Sequence, residues 1–530
     1  MWTSTLEIHI LRVLPTQLLG RFWRGAYFSS IAPLQVKNLP RLQMESTHSS
    51  WVRVRNRLAG ICGSDLHLVF VDGDLRIAPA ALPAHDYSYP GHEVVGEVIE
   101  IGEQVQNLCV GDRVVLQSAP NCLSAGIQPP CRSCASGNYN LCENANVPGP
   151  RQLGGGWSEE MLVHEQQLFR IPTEMEDEQA VLLEPTAVAV HAVLRRPPQA
   201  GEKVLIVGAG TIGLLTLQVV RALAPQAEVS VLARYSFQVE QATRMGASHI
   251  IYEHDTYESI QEATGAKLYQ GILGNKMLLG GYDVIYDTIG TRQTVHDSLR
   301  WARARGTVVL VGLSLHQMNL DLSPIWHQEV NLVGTMGHGM ESWPLDTNQQ
   351  RPTFALAADL ITNRLLHPEK LITHRYALNN FREALQAATD KKGSRAIKVV
   401  FDSALLPATS VPNAHAHVRS RLPGFMNIDV HAPQPTGEPL LDHTLSSENA
   451  PVIGPSHFTM AQSEDFTVDF DNTHFVTSKP RRPPSPLQFR RATDDIPVAV
   501  PQIGPTDATN AALKTLEKAG ELEGNAAPQD

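Results

Sequence analysis

Residues 203–224 read KVLIVGAGTIGLLTLQVVRALA, and this stretch decides the fold. Val204 to Val207 form a short apolar run of buried-strand character. GAGTIG follows at Gly208–Gly213, and an apolar pattern at helical spacing comes next. A glycine turn between a strand and a helix is the context in which G-x-G-x-x-G carries chemistry. Gly208 permits the tight turn, Gly210 lets the backbone approach a pyrophosphate, and Gly213 lets helix and strand pack closely. Thr211 and Ile212 open the helix, whose free N–H groups and positive dipole end suit a phosphate. The stretch predicts a parallel sheet that binds a dinucleotide.

Outward from it, the pattern of residues 188–337 alternates. EVSVLA, YDVIYDTIG, GTVVLVG and NLVGTMG read as strands, and SFQVEQATRMGA reads as a helix. Alternating strands and helices mean a doubly wound α/β sheet of Rossmann type. Its second strand should end in a carboxylate if the ribose 2′-hydroxyl of NAD is to be bound. Here it ends at Ala233, followed by Arg234. The missing carboxylate and the adjacent guanidinium favour a 2′-phosphate, hence NADP over NAD.

Residues 1–187 differ in character. WVRVRNRL, GHEVVGEVIEIG and DRVVL are short strand-like runs between Gly- and Pro-rich turns, which predicts a β-rich domain. Residues 338–402 carry two helical patterns (FALAADLIT, NNFREALQAAT) and a strand (AIKVVFD), enough to return to and complete the first domain. From 403 to 530 the chain is dense in Pro, Ser, Thr, Asn, Asp and His, with PRRPPSP at 480–486. That composition predicts a disordered tail with one short helix near 510–522 and a phosphorylatable Ser485.

The 530 residues are 42% hydrophobic and 18% charged, with a net charge of -11, which argues against bulk nucleic-acid binding. No apolar run reaches membrane-spanning length. Residues 8–44 lack Asp and Glu and include Arg12, Arg21 and Arg24. Such a stretch faintly resembles a mitochondrial transit peptide, but it reads better as a first strand with a lead-in extension of the first domain. A cytoplasmic protein is expected, with a mitochondrial one as the alternative.

The six cysteines are Cys62, Cys109, Cys122, Cys131, Cys134 and Cys142. The last four lie in one Gly-, Pro- and Asn-rich loop, where four thiolates suit a closed tetrahedral structural zinc; paired disulfides are the alternative. Cys62 in AGICGSDLH, His92 and Glu93 in YPGHEVVGE, and Glu184 in LLEPTAVAVHA make a mixed ligand set. One thiolate, one imidazole and carboxylates leave room for a substrate oxygen, as catalytic zinc requires.

With these motifs together, the chain resembles the zinc-containing medium-chain dehydrogenases, in their alcohol, sorbitol, threonine and glucose dehydrogenase branches. The likeness runs from about residue 33 to 402 and rests on GICGSDLH (60–67), PGHEVVGEV (90–98), GDRVV (111–115), the cysteine loop, EPTAVAVHAV (184–193) and GAGTIG (208–213). It implies a GroES-like catalytic domain beside the Rossmann domain. It further implies that Cys62 and His92 are zinc ligands, with Glu93 a ligand or neighbour and Glu184 a metal-proximal glutamate. Ser64 then matches the hydroxyl that bonds the substrate oxygen, Asp65 the carboxylate behind the zinc histidine, and His67 the outer end of a proton relay. The expected reaction moves a hydride between an alcohol, polyol or sugar hydroxyl and NADP or NAD. The expected partners are an alcohol or carbonyl small molecule and further copies of the chain, in a dimer or tetramer, with neither nucleic acid nor membrane. Two other readings remain: a zinc-free enoyl or quinone reductase on the same frame, and a non-catalytic scaffold acting through its tail. The chain departs from the family where LSAGIQPP widens the gap after Cys122, making it the least secure ligand, and where residues 266–281 are lengthened.

Overall fold

The computed structural model describes residues 1–406, apart from 9, 42, 46–47, 79–80, 82–86, 145–152 and 346. The expected disordered tail therefore lies, beyond Leu406, outside the described residues, as do the helix near 510–522 and Ser485. Its first residues, Ser403–Leu405, form a 3-10 turn.

The strand Lys203–Val207 is central in a six-stranded sheet. The order across the sheet is His249–Tyr252, Glu228–Ala233, Lys203–Val207, Tyr282–Asp287, Ala302–Leu310, Asn331–Gly334, and every pairing is parallel. This is the doubly wound order in which a ligand sits beyond the carboxyl end of the first strand. The helix Thr211–Leu223 follows the glycine turn, and Gly213 through Val220 are all buried along it. Its burial goes beyond one amphipathic face because the helix Leu183–Arg195 packs against it, and Thr353–Thr362 packs on that helix in turn. Thr353–Thr362 falls among the residues expected to complete the first domain. Yet Phe354, Leu356 and Leu360 join the same buried cluster as Val204 and Ile206.

The first domain is built on a seven-stranded sheet. Trp51–Gly60 pairs antiparallel with Val94–Ile101 on one edge and, on the other, with Glu160–His164 along its first half and Lys398–Asp402 at its end. Ile372–Tyr376 lies parallel beside Lys398–Asp402. The segment after the parallel sheet thus returns to close the first one, as the strand pattern of AIKVVFD predicts. Val52, Val54, Val94, Val98, Val114 and Val399 share its core. Their β-branched side chains fit a half-buried pleated surface.

The acid-free segment 8–44 has structure. Trp2–Glu7 pairs antiparallel with Leu34–Asn38, and the helix Ile10–Gly20 lies between them in sequence. The Ser4 N–H donates to Trp157 O (2.9 Å), which ties this hairpin to the first domain. The lengthened stretch 266–281 forms an antiparallel hairpin, Lys267–Gln270 with Lys276–Leu279.

Candidate active site

The first-domain strand Trp51–Gly60 delivers Cys62 to the start of the helix Gly63–Val69. Cys62 has extended backbone and acts as the N-cap, so its sulfur lies at the positive end of that helix. Asp65 turns back within the first turn. Its carboxylate accepts the N–H groups of Cys62 (3.0 Å) and Gly91 (3.2 Å), and lies 3.5 Å from His92 Nδ1. These bonds fasten the turn that carries Cys62 to the PGHE loop. Asp65 is buried, which works against its charge, but His92 outweighs burial and holds the carboxyl below its usual range. With Nδ1 turned to Asp65, Nε2 of His92 is left for a metal.

Ligand atoms of Cys62, His92 and Glu93 all lie within 4.8 Å of one another. Removal from water resists protonation of His92, but Asp65 and then Cys62 raise its pKa well above 6.5. Glu184 stands outside that tight group. Burial, reinforced by Glu93 and Asp65, pushes its carboxyl up to about 7. The His92 shift has its cause in the Asp65 carboxylate and the Cys62 sulfur beside it, where a cation would sit, while the Glu184 shift is led by burial. The donor set and its charge fit zinc.

The sequence reading missed a residue here. Lys398, 2% exposed, is ion-paired with Glu93 and donates to Ile61 O at 3.2 Å. Burial opposes its charge, and the Glu93 carboxylate more than restores it. A Cβ on Gly60 would collide with the Glu93 carboxylate and with Lys398 Cε, so only glycine leaves room for the pair. The available signal was a lysine within the apolar run AIKVVF, where period-2 alternation turns every second residue inward.

The second metal group is the cysteine loop. The sulfurs of Cys122, Cys131, Cys134 and Cys142 lie within 4.8 Å of one another, and all four thiols are free. The widened gap after Cys122 coils back on itself: Ala125 N–H reaches Asn121 O (2.9 Å) and Ile127 N–H reaches Cys122 O (2.8 Å). Cys122, the least secure ligand by spacing, is thereby returned to the group. N–H groups aim at the sulfurs, from Cys131 (3.4 Å) and Asn144 Nδ2 (3.3 Å) to Cys122, and from Cys134 to Cys131 (3.5 Å). The Cys131 N–H leads in lowering the Cys122 thiol to about 6, whereas burial pushes Cys134 and Cys142 up. Four such sulfurs fit a closed tetrahedral site.

In the parallel sheet, Gly208 adopts φ +99, and a Cβ on Gly213 would strike Gly208 O. A Cβ on Gly210 would meet nothing within 4 Å, and no side chain caps the Thr211–Leu223 helix. Thr211 and Ile212 form its first turn, beside that open space. This is a cradle for pyrophosphate on uncapped N–H groups. Thr211 Oγ1 also donates to Ile397 O (3.0 Å), next to Lys398. Ala233 is buried at the end of the second strand. Arg234 is half exposed, with Nε 3.4 Å from Glu253 Oε2 and its guanidinium 5.6 Å over the Tyr235 ring. Ser64 and His67 lie half-buried on the helix that Cys62 caps. His67 Nδ1 is 3.0 Å from Asp72.

Comparison with known proteins places the two domains in known families. Residues 48–173 match the alcohol dehydrogenase GroES-like domain family, and 211–349 the zinc-binding dehydrogenase family. An L-idonate 5-dehydrogenase of Vitis vinifera is 30% identical over 354 residues, 66% of this chain and 87% of that protein. The chain belongs to the zinc-containing medium-chain dehydrogenases. A sorbitol dehydrogenase of Arabidopsis thaliana is 29% identical over 66% of this chain and 88% of its own length. Among solved structures, an alcohol dehydrogenase from Escherichia coli CFT073 complexed with NADH is similar with a TM-score of 0.54. It is 26% identical and covers 70% of this chain and 95% of that one. This medium-chain dehydrogenase is a zinc- and nicotinamide-dependent oxidoreductase of small-molecule alcohols and polyols. Cys62, His92 and Glu93 lie close enough together to hold a metal ion.

Removing one partner of a buried ion pair costs about 3–5 kcal/mol, because the other charge stays buried alone. Lys398→Met in this dehydrogenase should lower the free energy of unfolding by that order in urea titrations. Adding Glu93→Gln to Lys398→Met should restore most of it; equal losses in the single and double variants would show that the pair is not coupled.

Proposed function

We propose that this dehydrogenase oxidises a secondary hydroxyl of a polyol or sugar-like substrate at a zinc held by Cys62 and His92, with Glu93 and Glu184 beside it. A second, structural zinc is held by Cys122, Cys131, Cys134 and Cys142, and NADP is preferred over NAD. The carrying observation is the convergence of Cys62, His92 and Glu93 within 4.8 Å on a chain that also carries an uncapped glycine-headed helix. The names of the sorbitol and L-idonate relatives support polyhydroxy substrates.

When bound, zinc acidifies the substrate hydroxyl and the nicotinamide accepts the hydride. The chain's own residues do the rest. Asp65 orients His92 through Nδ1. Lys398 offsets the charge of Glu93, so that the site is not overloaded with carboxylate. Ser64, on the first turn of the helix capped by Cys62, would accept the substrate hydroxyl's hydrogen bond and, as that proton arrives, pass its own hydroxyl proton outward. His67, further along the same helix, is its outer acceptor.

Oligomerisation belongs to the same proposal. Asn331–Gly334 ends the parallel sheet, and among the described residues no strand pairs with its outer edge. The chain leading to it exposes Trp326 (75%) and Leu322 (50%). An open edge beside apolar surface favours pairing with another copy, so light scattering should return a dimer or tetramer and not a monomer.

Metal analysis should return about two zincs per chain, since one closed and one open site are present. Chelation should remove one together with activity and leave the other in place. Cys62→Ala or His92→Ala should abolish turnover of sorbitol and related polyols yet leave nucleotide binding, followed by fluorescence, close to wild type. Zinc at one equivalent or none in the freshly purified protein would defeat the assignment.

The NADP preference rests on Ala233 and Arg234. A charge-assisted hydrogen bond to phosphate contributes about 1.5–3 kcal/mol, or roughly ten- to a hundredfold in affinity. Arg234→Ala should raise KM for NADP by that factor and leave NAD little changed. Ala233→Asp should act more strongly, by repelling the 2′-phosphate and offering NAD a ribose acceptor. Preference for NAD in the wild type, with both constants indifferent to Arg234→Ala, would leave Arg234 as the partner of Glu253 alone.

A further inference from the structure

Past the helix Gly63–Val69 the chain reverses at Val71, a β-branched residue held at φ 51. Such residues rarely adopt this conformation unless their surroundings impose it. Three hydrogen bonds hold the turn, one of them from the Val71 N–H to Leu68 O (3.2 Å). Gln17 Nε2 donates to Val71 O (3.1 Å), and the Asp72 N–H donates to His67 O (2.9 Å). The reversal brings the Asp72 carboxylate back onto the histidine it has just passed, with Oδ2 3.0 Å from His67 Nδ1. Its other oxygen, Oδ1, lies 2.7 Å from Nε2 of His316.

His316 belongs to the other domain. It follows the strand Ala302–Leu310 of the parallel sheet and precedes the helix Ser323–His327. Neighbouring bonds follow the same path: Asp74 N–H donates to Leu315 O (2.8 Å) and Gln317 Nε2 donates to Arg76 O (3.0 Å). The loop that carries Asp72 is thus fastened to the cofactor domain at the residue that also grips His67.

We propose that Asp72 is a positioning residue for proton transfer: it holds His67 in the Nδ1–H tautomer and, through His316, ties that tautomer to the seating of the cofactor domain. An ionised carboxylate can only accept, so the proton between Asp72 and His67 resides on Nδ1. Nε2 is then left with a lone pair, which is what a proton acceptor needs. The hydrogen bond from His67, helped by His316 and against partial burial, keeps the Asp72 carboxyl below its usual range. Asp72 therefore stays ionised across neutral pH. Without it the imidazole is free to take the other tautomer, which offers the relay a donor in place of an acceptor. Because Asp72 is shared with His316, the correct tautomer is enforced when the two loops are in contact.

This inference rests on the dehydrogenase reading, and its first readout needs no turnover. In protein labelled with nitrogen-15 at histidine, two-bond proton–nitrogen correlations identify the tautomer of each ring, with His67 assigned from His67→Gln. The wild type should show His67 protonated at Nδ1, and the isosteric Asp72→Asn should lose that pattern. In the holoenzyme, Asp72→Asn should lower kcat by about ten- to a hundredfold, the effect typical of groups that orient a working histidine. KM for the nucleotide should stay near wild type, the solvent deuterium isotope effect on kcat should rise, and Asp72→Glu should recover part of the rate. His316→Gln should weaken the His67 pattern less than Asp72→Asn does. An unchanged His67 signal in Asp72→Asn overturns the proposal. So does a fall in melting temperature with no change in tautomer or isotope effect, which would make Asp72 a brace only. Absence of polyol turnover in the wild type would defeat the dehydrogenase reading instead, and the histidine signal would still judge Asp72.

Discussion

The buried pair of Lys398 and Glu93 is the constraint around which the first domain is arranged. Its partners are 305 residues apart in sequence. Each ion would cost several kcal/mol to bury alone, so neither position tolerates the absence of the other. Meeting that condition requires the returning strand Lys398–Asp402 to pair with Trp51–Gly60, whose last residue must be glycine to let the two side chains meet. The next residues are Ile61, whose carbonyl takes a second bond from Lys398, and Cys62. One electrostatic requirement thus sets the sheet closure, the strand end and the place where the thiol emerges. The same return strand follows Ile397, whose carbonyl receives Thr211 at the head of the nucleotide helix. The metal site and the cofactor cradle therefore share a mechanical reference.

The two candidate metal groups differ in their charge. In the cysteine loop, backbone and Asn144 N–H groups converge on sulfur, and burial disfavours more than one thiolate unless a cation compensates. That is the electrostatics of a closed site, in which the protein has no other use for the charge. The Cys62 group is mixed, and its surroundings are graded. Asp65 steadies the histidine, Lys398 occupies Glu93, and Glu184 sits apart with its carboxyl raised to about 7. In the proposed catalytic site, a carboxylate already paired with lysine would leave coordination space for a substrate oxygen. Asp72 extends the same logic outward, because a carboxylate fixes the histidine at the far end of the helix much as Asp65 fixes the one at the metal.

Local chemistry carried much of this in the sequence. The strand, glycine turn and helix at 203–224 have one reading, because backbone freedom, close packing and a phosphate-facing helix end are demanded within a few residues. The ligand types of Cys62, His92, Glu93 and the cysteine loop announce a metal by their chemistry alone. Spacing was a poorer guide where a loop could fold on itself: the gap after Cys122 looked disruptive, yet its coil returns the sulfur to the group. Glu184 read as part of the ligand set; its carboxyl interacts with His92 and Glu93 but lies outside their 4.8 Å group. Only the tertiary structure decided what surrounds the ligands. Lys398 reaches Glu93, and His316 reaches Asp72 across 244 residues. Beyond a lysine set in the apolar run AIKVVF, such partners leave little local trace, because a charge buried in a strand or a histidine on a loop acquires its meaning only from the neighbour that the packed sheets bring to it. The sequence by itself determined which chemistry the chain carries. The packing of two domains decided which charges are paired, which proton sits on which nitrogen, and which ligands are free to work.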